Sequence, residues 1–420
     1  MVNNRLMWVL ESKGLLASEQ CGFRKNRSTA DHLVRFDSYI RNAFAKKEHV
    51  LAIFFDLEKA YDTTWKHGIL SDLYDLDFRG HLPTFIDGFL SHRLFQVRAG
   101  STLSDTYEQE MGVPQGSILS PVLFSLKINN IVKSVLKGSE ASLFVDDFAL
   151  CIRAKFLPHA QRLMQLCVNS VQDWICNNGF KFSTSKTVCM HFCNQRNHFA
   201  EPTILLDKTP IKVVPEAKFL GVVFDRTLSY SSHINYLKTN CLKALDILKV
   251  VGHTDWGADQ KTLLCLYRAL VRSKLDYGCI VYGAASNNIL KKLDPIHHQG
   301  LRIALGAFRT SPVTSLYAKA QEMSLKNRHK KLSMNYVLKL KTCPDNPAYS
   351  CVQKSSLTPP LGLRILPLFE DSKIDLDVVD DTTVSDTPPW NQSEPQICLS
   401  LTKYKKIPQT LKCINKPLWK

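Results

Sequence analysis

Apolar positions along the chain change period close to residue 225. Before it, strand-like runs alternate with helical stripes. The stretch "VLAIFFD" (50–56) is continuously apolar and ends on an acid, the pattern of a strand buried on both faces. "SLFVDDFAL" (142–150) is a second such run, interrupted by Asp146 and Asp147, and reads as a hairpin with the acid pair at its tip. Leu6, Val9 and Leu10 recur at helical spacing up to Gly14. Leu33, Phe36, Ile40 and Phe44 do so behind the basic loop "CGFRKNRST", where Ser28 or Thr29 can cap the helix. Trp65, Ile69, Leu73 and Leu76 mark a further helix, and "RLFQVRAG" with "TYEQEMGV" predicts a hairpin around Gly100. "PQGS" (114–117) is a turn, and Ser120-Pro121 starts the next helix. A helix through Leu163, Cys167, Val171 and Trp174 closes at Gly179, and strands are expected around 187–193, 203–206 and 218–224.

From Ser231 the pattern is helical. Ile234, Leu237, Cys241, Leu245 and Leu248 form one stripe, and Leu263, Leu266 and Leu270 another, which puts a domain boundary near 225–232. Beyond about 343, proline clusters and the acidic stretch "FEDSKIDLDVVDDTTVSDTPPWNQSEP" read as linker or disorder.

A length of 420 residues, 45% apolar and 22% charged, allows two or three globular domains. No apolar run approaches the ~18 residues that span a bilayer, so no membrane partner is expected. The opening "MVNNRLMWVLESKG" lacks the cleavage site of a secretory leader. Thirteen scattered cysteines, an odd number, indicate reduced thiols and an intracellular protein, in nucleus or cytoplasm. Cys189, His191, Cys193 and His198 lie close together, but the first three alternate as on one face of a strand. Their spacing matches no standard zinc pattern, so the reading is strand rather than metal site.

Charge changes the picture. The net charge is +16, and residues 218–341 hold 20 Lys and Arg against 7 Asp and Glu. A basic surplus spread along helices suits a polyanion such as nucleic acid, although charge alone is equally compatible with a solvated face.

The acids supply candidate chemistry. An unpaired carboxylate among apolar residues costs several kcal/mol or takes up a proton. If the strand ending at Asp56 neighbours the hairpin of Asp146 and Asp147, three carboxylates converge at one sheet edge. Such a cluster calls for cations, and all-oxygen acidic ligands suit Mg²⁺. Two such ions ~4 Å apart can activate an attacking hydroxyl and stabilise the leaving oxygen of an in-line phosphoryl transfer. The acid pair alone leaves this open, because Asp pairs are common in tight turns. A metal-dependent nuclease or integrase also clusters acids, and a degenerate protein that only binds nucleic acid is a further alternative.

Order and spacing narrow the choice. "FFDLEKAYD", "GVPQGSILSP", "FVDD", "GFKFSTSKT" and "KFLGVVFD", in that order, resemble the reverse transcriptases of non-LTR (LINE-type, jockey-like) retrotransposons over residues 1–340. "LYRALVRSKLDYGCIVYG" resembles the segment these elements carry after the polymerase. The resemblance implies an α+β right-hand polymerase. Residues 1–49 would be partial fingers and 50–225 a palm with an antiparallel sheet and the remaining fingers elements. Residues 226–342 would form a helical thumb and post-polymerase segment, and 343–420 a Pro-rich, acidic tail. The implied reaction is RNA-directed DNA synthesis, with an RNA template, a DNA primer, dNTPs and two Mg²⁺ ions, Mn²⁺ being a possible substitute.

The same resemblance implies roles for single residues. Asp56 and Asp146 would ligate both metal ions, with Asp147 in support. Tyr61 would block a ribose 2′-hydroxyl; taken alone it reads as a core aromatic beside Phe54 and Trp65. Gln115 and Gly116 of "PQGS" would meet the template and incoming nucleotide, and Lys186 would protonate the leaving pyrophosphate. Arg24, Lys25 and Arg27 would meet the triphosphate, and Phe219, Leu220 and Gly221 would grip the primer. Taken alone, Lys186, Arg24 and Arg27 are ordinary surface cations. Asp62 and Asp225 are explained by a helix cap and a turn.

Two positions depart from the family pattern. Val145 stands where Ala usually precedes the acid pair, an exchange expected to cost little in a strand, and Ser183 stands where Asn is usual. The resemblance begins inside the fingers, past a segment carrying another triphosphate-contacting arginine, so the expectation is an N-terminally truncated fragment of an element's open reading frame, with neither endonuclease nor RNase H.

Overall fold

The computed structural model describes residues 1–195, 199–253 and 255–353. The chain divides into two units. Helix α1 (Val2–Ser12), which buries Leu6 and Leu10, belongs to one, and the described chain from Gly14 onward to the other.

The larger unit is built on a five-stranded sheet. Its centre is His49–Phe55, buried at every position because helices cover both faces. Asp147–Ala154 and Val188–Phe192 flank it antiparallel, Glu140–Phe144 lies outside the first, and the two-residue strand Lys212–Val213 pairs parallel with the second. Val50, Ala52, Phe54, Met190 and Phe192 point to one face, where they meet Leu33, Phe36 and Ile40 of helix α2 (Thr29–Ala45). The opposite face packs against the long helix Leu157–Asn177, which buries Ala160, Met164, Cys167, Val168, Val171 and Ile175.

Local chemistry explains several boundaries. Ser28 caps α2 in a capping box: its amide donates to Asp31 Oδ2 at 2.7 Å. Gly179 ends the long helix at φ +76, a conformation that favours glycine. The hairpin around Gly100 forms as two short ladders, Leu94–Phe95 with Tyr107–Glu108 and Arg98–Ala99 with Thr102–Leu103.

The stretch expected as one strand at 218–224 is a hairpin instead. Glu216–Phe219 pairs with Val222–Asp225, and Leu220 (φ +43) and Gly221 (φ +81) make the turn. Asp225 organises the following turn, as expected, accepting the amides of Thr227, Ser229 and Tyr230. The chain then becomes helical at Ser231, and the Ile234, Leu237, Cys241, Leu245 and Leu248 stripe of Ser231–Val251 is buried.

One core runs across the 225–232 boundary. Phe36 packs on Phe219 and Phe224 at 5.6 and 4.9 Å between ring centroids. Tyr230 Oη donates to Asp37 Oδ1 at 2.5 Å, and Tyr336 Oη donates to Asp31 Oδ1 at 2.8 Å. Residues 343–353, expected as linker, are structured: Ala348 is fully buried, and Tyr349–Gln353 is a short helix. The remaining tail and its acidic stretch lie outside the described residues.

No described helix is long and apolar enough to cross a membrane. The described cysteines are free of disulfides.

Candidate active site

Asp56 follows directly on the central strand, whose last ladder pair is Phe55 with Phe148. Continued by one residue, that antiparallel register sets Asp56 opposite Asp147. The hairpin of the acid pair closes with Phe144 paired to Asp147, so Val145 and Asp146 form a two-residue turn. The three carboxylates therefore share one end of the sheet, and their charges interact. Burial, reinforced by the charges of Asp146 and Asp56, raises the Asp147 pKa above its ordinary value.

The "STSKT" loop closes one side. Ser183 N–H donates to Asp56 O at 2.8 Å, and Asp56 N–H donates to Thr187 Oγ1 at 3.3 Å. This brings Lys186 Nζ to 3.5 Å from Asp56 Oδ2 on an otherwise exposed side chain. Asp56 Oδ2 is shielded from water and accepts no hydrogen bond among the described residues. A sheltered acceptor beside two further carboxylates fits a divalent cation with oxygen ligands better than one exposed ammonium does. The donor set thus suits a hard divalent cation.

Tyr61 lies five residues beyond Asp56. Its half-buried ring stacks on Phe124 at 4.7 Å with 22° between the planes. Burial first, and the Asp146 charge second, push its phenol pKa up, which places the ring within electrostatic reach of the acids. The "GVPQGS" segment folds onto the same turn: Val113 N–H donates to Tyr61 O at 2.8 Å. A side chain at Gly112 would collide with the Tyr61 and Asp62 carbonyls at 2.8 and 2.7 Å, so only glycine allows this approach. Asp62 is not a helix cap, since Trp65 occupies that position. It instead accepts Gln115 Nε2 at 3.1 Å. Gly116 (φ +93) opens to free space.

The other expected residues are placed as follows. Arg24 Nη1 donates to the carbonyls of Ala17 and Gln20 at 2.7 and 3.0 Å, Arg27 Nη2 donates to Asp345 O at 2.8 Å, and Lys25 is exposed. Phe219 is buried against Phe36 and Phe54, while Tyr277 Oη donates to Leu220 O at 2.7 Å and covers Gly221.

Val145 departs from expectation. It sits in the turn at φ +62, where a β-branched residue is strained, and not in a strand. Two residues the sequence did not single out hold it there. Gln20 Oε1, fully buried, accepts both Gly22 N–H at 2.8 Å and Val145 N–H at 3.3 Å. His32 Nε2 contacts Leu143 O at 3.0 Å, and burial lowers its pKa to about 3, keeping the ring neutral.

Converging acids at the end of an antiparallel sheet, with a lysine loop on one side and a glycine-bearing turn on the other, define a site suited to metal-assisted nucleotidyl transfer. The family model "Reverse transcriptase (RNA-dependent DNA polymerase)" matches residues 1–224, and the chain belongs to that family. It is 28% identical over 316 residues to the probable RNA-directed DNA polymerase from transposon X-element of Drosophila melanogaster, covering 72% of this chain and 33% of that protein. To the RNA-directed DNA polymerase from mobile element jockey of Drosophila funebris it is 26% identical, over 73% of this chain and 34% of the relative. The chain thus spans about a third of the length of these curated relatives. Among solved structures, apo telomerase from Candida tropicalis is similar at a TM-score of 0.41 and 12% identity, over 79% of this chain and 52% of that one.

Proposed function

We propose that this chain carries the polymerase active site of a non-LTR retrotransposon reverse transcriptase, transferring nucleotides from dNTPs to a DNA primer on an RNA template. The observation that carries the reading is the register that sets Asp56 against the Asp146–Asp147 turn, with Lys186 beside Asp56. The sheet and its flanking loops act as palm, with residues before 50 as part of the fingers and the helices after Ser231 as thumb.

Asp56 and Asp146 hold the divalent ions, Mg²⁺ in the first instance, and Asp147 adds charge behind them. Those ions, when bound, supply Lewis-acid activation of the primer 3′-hydroxyl and charge stabilisation at the leaving pyrophosphate. Lys186, exposed and paired with Asp56, gives a proton to the pyrophosphate as it leaves. Tyr61, braced from behind by Phe124, lies under the incoming sugar and excludes a 2′-hydroxyl. Gln115 and Gly116 line the path of the template and incoming base. Lys25, exposed, presents its charge to the triphosphate, Arg24 and Arg27 add positive charge behind it from their places against main-chain carbonyls, and the Phe219–Gly221 turn supports the primer.

Exposed lysines of the helical region hold the duplex backbone, while its half-buried arginines are spent internally. Arg272 Nη1 donates to both Glu322 oxygens at 2.6 and 2.7 Å, and Arg328 Nη2 donates to Asp276 at 2.9 Å. The test is primer extension on poly(rA)/oligo(dT) with dTTP and Mg²⁺. Incorporation that requires both template and metal supports the reading; template binding without incorporation favours a protein that only binds nucleic acid.

A further inference from the structure

At the other end of the central strand, about 23 Å from Asp56 at the usual rise per residue, a second group of metal-binding side chains comes together. His49 begins that strand, and His191 and Cys193 lie on and just beyond its neighbour Val188–Phe192. Leu51 pairs with His191 in this ladder, so His49, His191 and Cys193 project from the same face. All three are buried, and one ring nitrogen of each histidine and Cys193 Sγ lie within 4.8 Å of one another. The sequence spacing concealed this group because His49 is far away in the chain. Of the four residues noted together there, His191 and Cys193 contribute, Cys189 sits deeper in the strand, and His198 lies outside the described residues.

We propose that His49, His191 and Cys193 form a structural site for Zn²⁺. Two nitrogens and a thiolate match the donor preference of zinc and are poor ligands for Mg²⁺. The two ring nitrogens stand 3.0 Å apart, close to the ~3.3 Å edge of a tetrahedral zinc site. Any contraction on binding therefore falls on the thiol.

Two features around the group point the same way. Gln195 N–H donates to Cys193 Sγ at 3.4 Å, a contact that orients the sulfur beside the two imidazoles. Phe199 stands edge-on to both imidazoles, 4.5 Å from His49 and 6.1 Å from His191, giving the site an apolar cover. Binding releases the Cys193 thiol proton to solvent. The imidazole that donates in the His–His contact moves its N–H to its outer nitrogen, and a water molecule completes four-coordination.

The site would clamp the two strands at the end remote from the catalytic acids. The test uses the full chain, stripped of metal and titrated with Co²⁺ as a spectroscopic probe. Beside any Co²⁺ that the acidic site takes up in oxygen-only coordination, one Co²⁺ per chain should bind with four-coordinate visible absorption and a thiolate charge-transfer band, and Zn²⁺ should displace it. Cys193→Ser should lose the charge-transfer band, and His49→Gln should lose the four-coordinate visible spectrum. Asp56→Asn should keep both, which separates this site from the acidic one. Zn²⁺ should raise the Tm of the wild-type chain and leave that of Cys193→Ser unchanged, with circular dichroism reporting that both are folded. Absence of a charge-transfer band in the wild-type chain, or its persistence in Cys193→Ser, would overturn the proposal and leave the pair as a plain His–His hydrogen bond.

Discussion

Gln20 and Val145 are joined by a hydrogen bond from the Val145 amide to Gln20 Oε1 that bridges 125 residues of sequence. The bond holds a β-branched residue in a left-handed turn immediately before Asp146. Such a conformation costs about 1–3 kcal/mol and persists only where its surroundings impose it. Here those surroundings are Gln20, which also accepts Gly22 N–H, and Gly22 itself, whose Cα leaves no room for a side chain. The orientation of the turn that carries Asp146 therefore depends on the distant loop that holds Gln20 and Gly22.

Gln20→Leu should leave two buried amides without an acceptor, at about 1–3 kcal/mol each, and lower both the Tm and the kcat of dTTP incorporation. Gly22→Ala should behave similarly, since its Cβ would fall 2.5 Å from Val145 Cγ2 and 2.9 Å from Val145 N. Thermal melts and primer extension on both variants check this. A wild-type Tm in Gln20→Leu would mean that the turn is held by other contacts.

If Asp56 and Asp146 hold the metal ions as proposed, Asp56→Asn and Asp146→Asn should each abolish extension while template binding persists, because each would remove a ligand worth several kcal/mol in the transition state. Asp147→Asn should be milder. It should also change the pH response of the metal-free chain. The Asp147 pKa is raised in the folded state, so its contribution to stability is complete below the ordinary value of 3.8 and is lost as pH rises through the raised one. Denaturant midpoints in EDTA should therefore fall over that interval for wild type and fall less for Asp147→Asn. Added Mg²⁺ should restore the wild-type midpoint. Parallel pH profiles for the two chains would show that the three acids do not share a site.

The helical region separates two kinds of positive charge. Lys238 and Lys243 are exposed on the helix Ser231–Val251, whereas Arg272 is bound to buried Glu322. If the lysines meet a phosphate backbone, replacing each with Ala should reduce the slope of log K against log salt by about 1. Arg272→Ala should instead destabilise the fold, by less than the ~3 kcal/mol of a buried carboxylate stripped of every partner, because Arg268 Nε still donates to Glu322 Oε1 at 2.7 Å. Template binding as a function of salt, with a melt on each variant, distinguishes the two. A salt-independent affinity would make the lysines solvated surface only.

What the sequence reveals and what it hides follow from the range of the forces involved. Asp56, Asp146 and Asp147 are visible because carboxylates interrupt apolar runs, and period 2 or 3.6 fixes the strands and helices around them. The buried stripe of Ser231–Val251 is read correctly for the same reason. Gln20 is invisible, because a glutamine in a polar loop looks solvated until its partner arrives from residue 145. The left-handed turn at Val145 is hidden by a β-branched residue that normally marks a strand. Arg24 and Arg27 look like free cations in a basic loop, yet the fold points them at main-chain carbonyls of Ala17, Gln20 and Asp345. His49 joins His191 and Cys193 only through strand register, which no local pattern encodes.

Tyr61 offers the sharpest test of the active-site reading. Its ring is half-buried, stacked on Phe124, and within reach of the Asp146 charge. A side chain braced in this way cannot retreat from a 2′-hydroxyl, so rejection of ribonucleotides would be steric and would depend on the ring rather than on its oxygen. Tyr61→Phe should keep the stack and discriminate almost as wild type. Tyr61→Val should accept rTTP far better while retaining much of its dTTP activity. If the ring serves only to pack on Phe124, Tyr61→Val should instead lose about 2–4 kcal/mol of stability and impair both substrates alike. Measuring kcat/KM for rTTP and dTTP, with a thermal melt of each variant, separates these outcomes. An unchanged ratio in a folded Tyr61→Val chain would assign the residue to the core and leave sugar selection to another part of the site.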